Sequence, residues 1–458
     1  VKDYHDFIER KTLIDAPSGF EPGDINPALF EWQADIVRYA CMRGRFGGYE
    51  DCGLGKSIQQ LESARLINEH TGLPVMIFAP LAVAEQTKRE ARKFDIQAEV
   101  RVCKDQSHVG NCINVANYER LHLFEPEKFG GVLLDEGSIL KSIDGKIRGQ
   151  LLNDWQCVPY RQSWSATPAP NDFMEIGNQA EFLGVMKRSE MLATFFVHDG
   201  GDTSKWRLKG HAREAFWRWM ASWCVMVRRP SDLGYADEGY DLPPIQYHEH
   251  YVDSKAGAGQ LFATNAGTLQ ERRNARRSSL FDRCKAAASI VEQTCEPCVL
   301  WCNLNDEGET LAKMIPGAVE VAGRHTLEQK EERLAAFTRG DIQTLITKPK
   351  IGGFGLNWQH CPKTVIFPTD SWEQWYQMVR RFWRFGQTQQ VNVHAVASEA
   401  ETGVIENLKR KEQDAGVMFD GIAAAMSELS REQIRKTERQ TTTYTPEQRM
   451  EFPQWLTA

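Results

Sequence analysis

The 458-residue chain lacks an excess of positive charge: 55 lysines and arginines stand against 62 aspartates and glutamates, a formal net charge of −7. That balance gives no global electrostatic reason to expect a polyanionic partner. No apolar run reaches membrane-spanning length and no secretory leader pattern stands at the start, so the expected setting is a reducing, cytoplasmic-type compartment. The eleven cysteines form no paired framework, which excludes a disulfide-built fold. Cys295-Glu296-Pro297-Cys298, with Cys302 nearby, admits a zinc reading, but no second Cys-x-x-Cys follows. Cys298 and Cys302 end the apolar run Cys-Val-Leu-Trp-Cys and are expected as buried strand residues. There is no internal sequence repeat.

Enough apolar residues, 41% of the chain, are present to fill the cores of about two to three domains. Short apolar runs at 75–79, 112–115, 132–134, 298–302, 344–347, 364–367 and 391–396 alternate with helical stretches. That alternation predicts α/β sheets. Residues 1–24 read as an irregular lead-in. Between about 180 and 230 strand signals fade, and Phe216, Met220, Trp223 and Val227 share a helical face, which predicts a helical insertion with an aromatic core. Leu242-Pro243-Pro244 ends the first half, a linker with an arginine-rich segment follows, and the second unit is expected to start near Cys298. Residues 426–458 read as a short helix and a flexible tail.

Three segments carry chemistry. Glu50-Asp51-Cys52-Gly53-Leu54-Gly55-Lys56-Ser57 precedes a helical stretch. A loop that opens a helix gathers backbone N–H groups at the positive end of the helix dipole, which suits phosphate oxygens. Gly53 and Gly55 admit close approach, Lys56 would reach the β- and γ-phosphates, and Ser57 would offer its hydroxyl to Mg²⁺. Glu50 replaces the pattern's usual first glycine, and a chance glycine turn is the alternative for this segment alone. Val132-Leu133-Leu134-Asp135-Glu136 predicts a buried parallel strand whose carboxyl end reaches a ligand cleft. Asp135 would hold the water shell of the metal, and Glu136 would orient and deprotonate an attacking water; an ordinary exposed strand end is the alternative. With Arg381 and Arg384 far downstream, the set reads as a split ATPase with ATP between two lobes.

Local basic clusters sit at Lys88, Arg89, Arg92 and Lys93, at Lys205, Arg207, Lys209 and Arg213, and at Arg272, Arg273, Arg276 and Arg277. Each would either track phosphates or form a solvated helix face.

Over roughly residues 28–415, the order of these segments resembles the superfamily-two helicase-like ATPases and, within them, the SWI/SNF-type DNA translocases. Phe30-Glu31-Trp32-Gln33 is similar to the adenine-recognition motif, with Gln33 reading the base. Phe78-Ala79-Pro80-Leu81 and Asn117-Tyr118-Glu119 resemble strand-contacting motifs, which implies nucleic-acid contacts for Pro80, Asn117 and Tyr118. Asp135-Glu136-Gly137-Ser138, with Lys141, resembles the Asp-Glu-Ala-His box, with Ser138 in place of histidine. Ser165-Ala166-Thr167-Pro168 resembles the coupling motif, which implies roles for Ser165 and Thr167. Val227-Arg228-Arg229 and Leu242-Pro243-Pro244 look like the boundary between lobes. Gly352-Gly353-Phe354-Gly355-Leu356-Asn357 resembles the motif that links ATP state to the DNA backbone, implying Lys350, Gly352, Gly353 and Asn357 on the nucleic-acid side and Gly355 on the nucleotide side. Gln377 through Gln387 resembles the final motif: Gln377 couples, Arg381 and Arg384 reach across the cleft, and Trp383 stands where histidine is usual.

The resemblance implies an α/β fold of two RecA-like lobes with parallel sheets and a nucleotide cleft between them. The first lobe would span 25–245, with the helical insertion in or after it, and the linker and second lobe 246–425. It further implies ATP and Mg²⁺ as cofactors, duplex DNA as track, a monomeric motor, a nuclease or replication or repair protein as candidate partner, and a compact phage or bacterial type acting in the cytoplasm of a bacterial or phage-infected cell. A strand-separating DNA or RNA helicase and a nucleotide-gated clamp without turnover are the open alternatives.

Overall fold

Short strands buried on both faces organise the chain into two lobes. The computed structural model describes residues 17–80, 83–141, 145–199, 202–253, 268–352 and 357–434. In the first lobe β1 (Arg45–Glu50), β2 (Val75–Ala79), β3 (Val100–Val102), β4 (Ile113–Asn117), β5 (Gly131–Asp135) and β6 (Tyr160–Trp164) alternate with helices. A hairpin of β7 (Phe196–Asp199) and β8 (Asp202–Leu208) follows, then β9 (Cys224–Val227). Apart from the antiparallel hairpin, the strands form one parallel sheet in the order β3-β4-β2-β5-β6-β1-β9. Such a sheet must be covered on both faces, and β2, β4 and β5 accordingly read as near-continuous apolar runs.

The second lobe holds β10 (Ile245–Val252), β11 (Cys298–Trp301), β12 (Val319–Val321), β13 (Thr344–Thr347), β14 (Lys363–Ile366) and β15 (Val391–Ser398). They are parallel in the order β10-β15-β14-β11-β13-β12. Each lobe is thus an α/β sandwich around a parallel sheet, the RecA-like arrangement.

Three segments differ from the sequence reading. The second unit opens at Ile245, not near Cys298: β10 pairs with β15 from Ile245↔Val391 to Val252↔Ser398. The stretch from 180 to 230 is not purely helical, since it includes the hairpin and β9, which joins the main sheet beside β1. Phe216, Met220, Trp223 and Val227 lie in the core of the first lobe itself. The C-terminal helix runs from Thr402 to Ile434, 33 residues, and starts well before 426.

This last helix belongs to both cores. Val404, Ile405 and Leu408 pack into the second lobe, whereas Met418, Phe419 and Ile422 pack into the first. Gly421 makes the docking possible: a Cβ there would lie 2.6 Å from the Trp217 ring. Arg228 secures the same contact through Asp420 at 2.7 Å, with its guanidinium 5.6 Å from the Phe419 ring centre. One continuous helix thus joins the two cores between Val404 and Ile422.

Candidate active site

The phosphate-loop segment leaves the carboxyl end of β1 and enters the helix Lys56–Thr71, with Gly55 as its N-cap. Lys56 Nζ donates to the carbonyls of Glu50 and Asp51, at 2.8 and 3.0 Å. Ser57 is the second residue of the helix, in the first turn, whose N–H groups have no intrahelical partner. Gln33 is buried; its side-chain nitrogen donates to the Leu54 carbonyl at 2.7 Å, and its oxygen accepts from the Phe30 N–H at 3.0 Å. Gln33 therefore ties the helix Glu31–Arg43 to the loop.

Asp135 ends β5, and Glu136 follows it with φ of +55°, a left-handed conformation that non-glycine residues rarely adopt. Such strain persists where the surroundings over-determine it, and it clusters at functional sites. Asp135 is held by Gln60, whose amide donates to Oδ1 at 2.9 Å, and by Tyr118, whose hydroxyl donates to its carbonyl at 2.6 Å. Burial raises the Asp135 carboxyl above its ordinary range, with the Gln60 bond and the Lys56 charge opposing. Glu136 is pushed up to about 7, by burial first and by repulsion from Asp135 second, while Lys56 and Arg381 pull it down. Glu50, fully buried at the end of β1, is likewise raised to about 7 by burial, against the Lys56 charge and the Gln59 hydrogen bond.

Ser165, at the end of β6, places its hydroxyl 3.5 Å from Glu136 Oε2 and accepts the Thr167 N–H at 3.0 Å. Gln179 donates to the carbonyls of Gly137 and Pro168, at 2.8 and 3.3 Å, and accepts from Ser163. These bonds join the acid pair to the Ser165–Thr167 segment although Ser138 carries no imidazole.

The second lobe closes over this surface. Gly53, with φ of +94°, lies so near the segment after the helix Trp372–Val379 that a Cβ on it would sit 2.9 Å from the Phe385 nitrogen and 3.3 Å from Arg384 Cβ. Arg381 is buried, and burial depresses its basicity while Cys52, Glu136 and Asp135 oppose that. Arg384 is depressed to about 10 by burial and by the neighbouring Arg381 charge. Its Nε is shielded from solvent and has no hydrogen-bond partner among the described residues. Lys141, beyond the acid pair, bonds Glu373 of the second lobe.

The structure thus brings Lys56, Asp135, Glu136, Ser165, Arg381 and Arg384 to one cleft at the carboxyl ends of the first sheet. Gln377 is buried on the helix Trp372–Val379. Tyr118 is a buried link to Asp135, not a surface group, and Gly352 is packed against Thr347, Trp358 and Trp301. Pro80 and Asn117 stand half-buried where β2 and β4 end, and Lys350 and Asn357 are exposed. Gly353 and Gly355 lie outside the described residues. Of the basic clusters, the arginine-rich helix is half committed internally: Arg272 pairs with Asp370 at 2.8 Å, and Arg276 pairs with Asp370 and Glu401 at 3.0 and 2.7 Å, whereas Arg273 and Arg277 are exposed. On the helix Ala84–Lys93, by contrast, Arg89, Arg92 and Lys93 are exposed and make no ion pair among the described residues.

No family model matches the chain, and no curated protein matches it. Among solved structures it is similar to the Sulfolobus solfataricus SWI2/SNF2 ATPase core in complex with dsDNA, at 17% identity and a TM-score of 0.43, over 91% of this chain and 98% of that one.

Proposed function

We propose that this chain is a nucleic-acid-stimulated ATPase of the superfamily-two helicase-like type, a compact SWI/SNF-type member that moves along duplex DNA. The observation that carries the reading is a juxtaposition: Lys56 opens the helix after the glycine loop, Glu136 follows β5 with φ of +55°, and Gly53 of the loop lies against Arg384 of the other lobe, so that charges of both lobes, Asp135, Lys56, Arg381 and Glu373, bear on the Glu136 carboxyl. A base flanked by a phosphate-loop lysine and by arginines from a second body is the constellation of nucleoside-triphosphate hydrolysis. An anion fits here, because among the described residues the solvent-shielded Arg384 Nε has no hydrogen-bond partner and Lys56 Nζ bonds backbone carbonyls but no carboxylate.

Ser57 and Asp135 would hold Mg²⁺, which usually takes one or two carboxylates plus substrate phosphates; the described residues accordingly need no cluster of three acidic or histidine ligands and contain none. The metal would neutralise phosphate charge. In the proposed reaction Lys56 and the loop N–H groups orient the phosphates, Glu136 takes the proton of the attacking water, and Arg384 meets the charge on the transferred group when the lobes close. Ser165 and Gln179 would carry the state of the acid pair toward the nucleic-acid side.

The track would run over the helix Ala84–Lys93, where Arg89, Arg92 and Lys93 are exposed and make no ion pair among the described residues, and not over the paired Arg272 and Arg276. Neutralising Arg89, Arg92 and Lys93 together is expected to lower the slope of log affinity against log salt by about three for duplex DNA. The same change at Arg272 and Arg276 should lower thermal stability, because both hold buried or half-buried carboxylates; a salt slope that responds only to Arg272 and Arg276 would reverse the assignment.

The direct test is steady-state ATP hydrolysis without nucleic acid and with single-stranded DNA, duplex DNA or RNA, using Glu136→Gln as blank. Strong stimulation by duplex DNA is expected. Preference for single strands or RNA would transfer the reading to a strand-separating helicase, and no hydrolysis under any condition would leave a nucleotide-gated clamp.

A further inference from the structure

We propose that Arg380 and Tyr376 of the second lobe hold the phosphate loop in its binding shape through Asp51, so that contact between the lobes precedes nucleotide binding as well as following it. The affinity part of this inference rests on the nucleotide reading above, whereas the contact between lobes does not.

Asp51 is joined on both sides. One carboxylate oxygen accepts the Tyr376 hydroxyl and the Cys52 N–H, the latter at 2.6 Å, and the other accepts the Arg380 guanidinium. Its carbonyl accepts Lys56 Nζ at 3.0 Å. One of the two residues whose carbonyls hold the loop lysine is therefore gripped by the opposite lobe. Asp51 is only 6% exposed, so the pair works where solvent screens it little.

Arg380 is also prepared for this contact. Its guanidinium lies 4.3 Å from the Trp383 ring centre and 5.2 Å from that of Tyr376, and it donates to the Trp383 carbonyl at 3.3 Å. Trp383 is anchored in turn by its indole N–H on the Pro243 carbonyl, at 2.7 Å. A planar cation held between two rings loses little freedom on pairing, which distinguishes it from a surface ion pair of two flexible chains. Burial opposes its charge more than any one neighbour favours it, and Asp51 together with Tyr376, Cys52 and Tyr247 more than offsets that.

The consequence is electrostatic. Without Arg380, Asp51 would present an uncompensated negative charge in the loop that must accept phosphates. Arg380 touches no reacting group in this arrangement and is a positioning residue.

The cysteines supply the measurement: Cys157 on the first lobe and Cys295 on the second are exposed, and the other nine are buried or half-buried. With a donor and acceptor dye on these two thiols, the nucleotide-free protein should show one short, narrow distance distribution. Arg380→Ala should widen and lengthen it and weaken binding of a fluorescent ADP by about 10- to 100-fold. Tyr376→Phe, which removes one hydroxyl, should do so to a smaller extent. The decisive variant is Arg380→Ala with Asp51→Asn: removing the stranded charge should recover part of the lost affinity while the lobes remain apart. An Arg380→Ala protein with wild-type distances, or a double variant that binds no better than Arg380→Ala, would overturn the inference. Wild-type protein that binds no nucleotide, yet whose lobes separate on Arg380→Ala, would support the contact and overturn the nucleotide reading.

Discussion

Glu136→Gln is expected to cut ATP turnover by on the order of a thousandfold, leave ATP binding within a few-fold, and stabilise the nucleotide-free protein at about pH 8. The first effect follows from the loss of the carboxylate that follows Asp135 at the end of β5, with charges of both lobes around it. Binding should survive because the loop is shaped by Lys56, Gln33 and Asp51. The stability effect follows from the sign of the shift. In the folded chain the carboxyl is raised to about 7, whereas an unfolded glutamate titrates near 4.3, at about 1.4 kcal/mol per pKa unit. Between those values the native state holds a proton that the unfolded chain has released, so stability falls as pH rises through the window. Glutamine carries no such charge. The variant should therefore gain on the order of 1–3 kcal/mol at about pH 8 and little near pH 4.5. Thermal unfolding of both proteins at the two pH values checks this, and an equal gain at both would remove the charge from the explanation.

How much of this was legible in the sequence depended on how each element earns its burial. Strands β2, β4, β5, β11, β13, β14 and β15 announce themselves as apolar runs, because both their faces are covered. β6 does not: Arg161, Gln162 and Ser163 are polar yet buried, and become tolerable only through partners such as the Val158 and Leu183 carbonyls for Arg161 and Gln179 for Ser163. β1 carries Gly47 and Gly48 and shows no apolar run, and Tyr49 and Trp164 occupy the space where their side chains would stand. β10 alternates polar and apolar residues at a sheet edge, so it passed for a linker.

The site divides in the same way. Lys56, Asp135, Glu136, Arg381 and Arg384 stand in short recognisable patterns. Gln60, Gln179, Tyr376 and Arg380 do not, because their partners are distant in sequence: Gln60 meets Asp135 across 75 residues and Arg380 meets Asp51 across 329. Tyr118 was read by its motif as a strand contact, and only packing shows its hydroxyl turned inward to the acid pair. The C-terminal helix was underestimated for a related reason. Its two apolar patches, around Val404–Leu408 and Met418–Ile422, serve different cores, so no single periodic face marks it as one element.

Two arginines from one segment reach the same cleft, and their separate variants are expected to fail differently. Arg384→Ala should lower turnover by about a thousandfold with ATP binding nearly unchanged, since its Cβ packs against Gly53 and its Nε, without a partner among the described residues, is free to meet charge that develops on the transferred group. Arg381→Ala should also slow hydrolysis, but by another route. Arg381 is one of the charges that hold Glu136 down against burial and Asp135. Without it the carboxyl needs a higher pH to ionise, so the acidic limb of the rate profile should move upward. Arg384 exerts no comparable pull on Glu136, and its variant should keep the wild-type limb at a much lower plateau. Single-turnover rates across about pH 6 to 9 separate the two. Arg384→Lys should restore little, because an ammonium cannot supply the planar fork. If Arg384→Ala loses ATP binding with no separate loss of turnover, the arginine grips the ground state and the finger role falls; if both variants shift the limb alike, the two guanidiniums act on Glu136 as one charge.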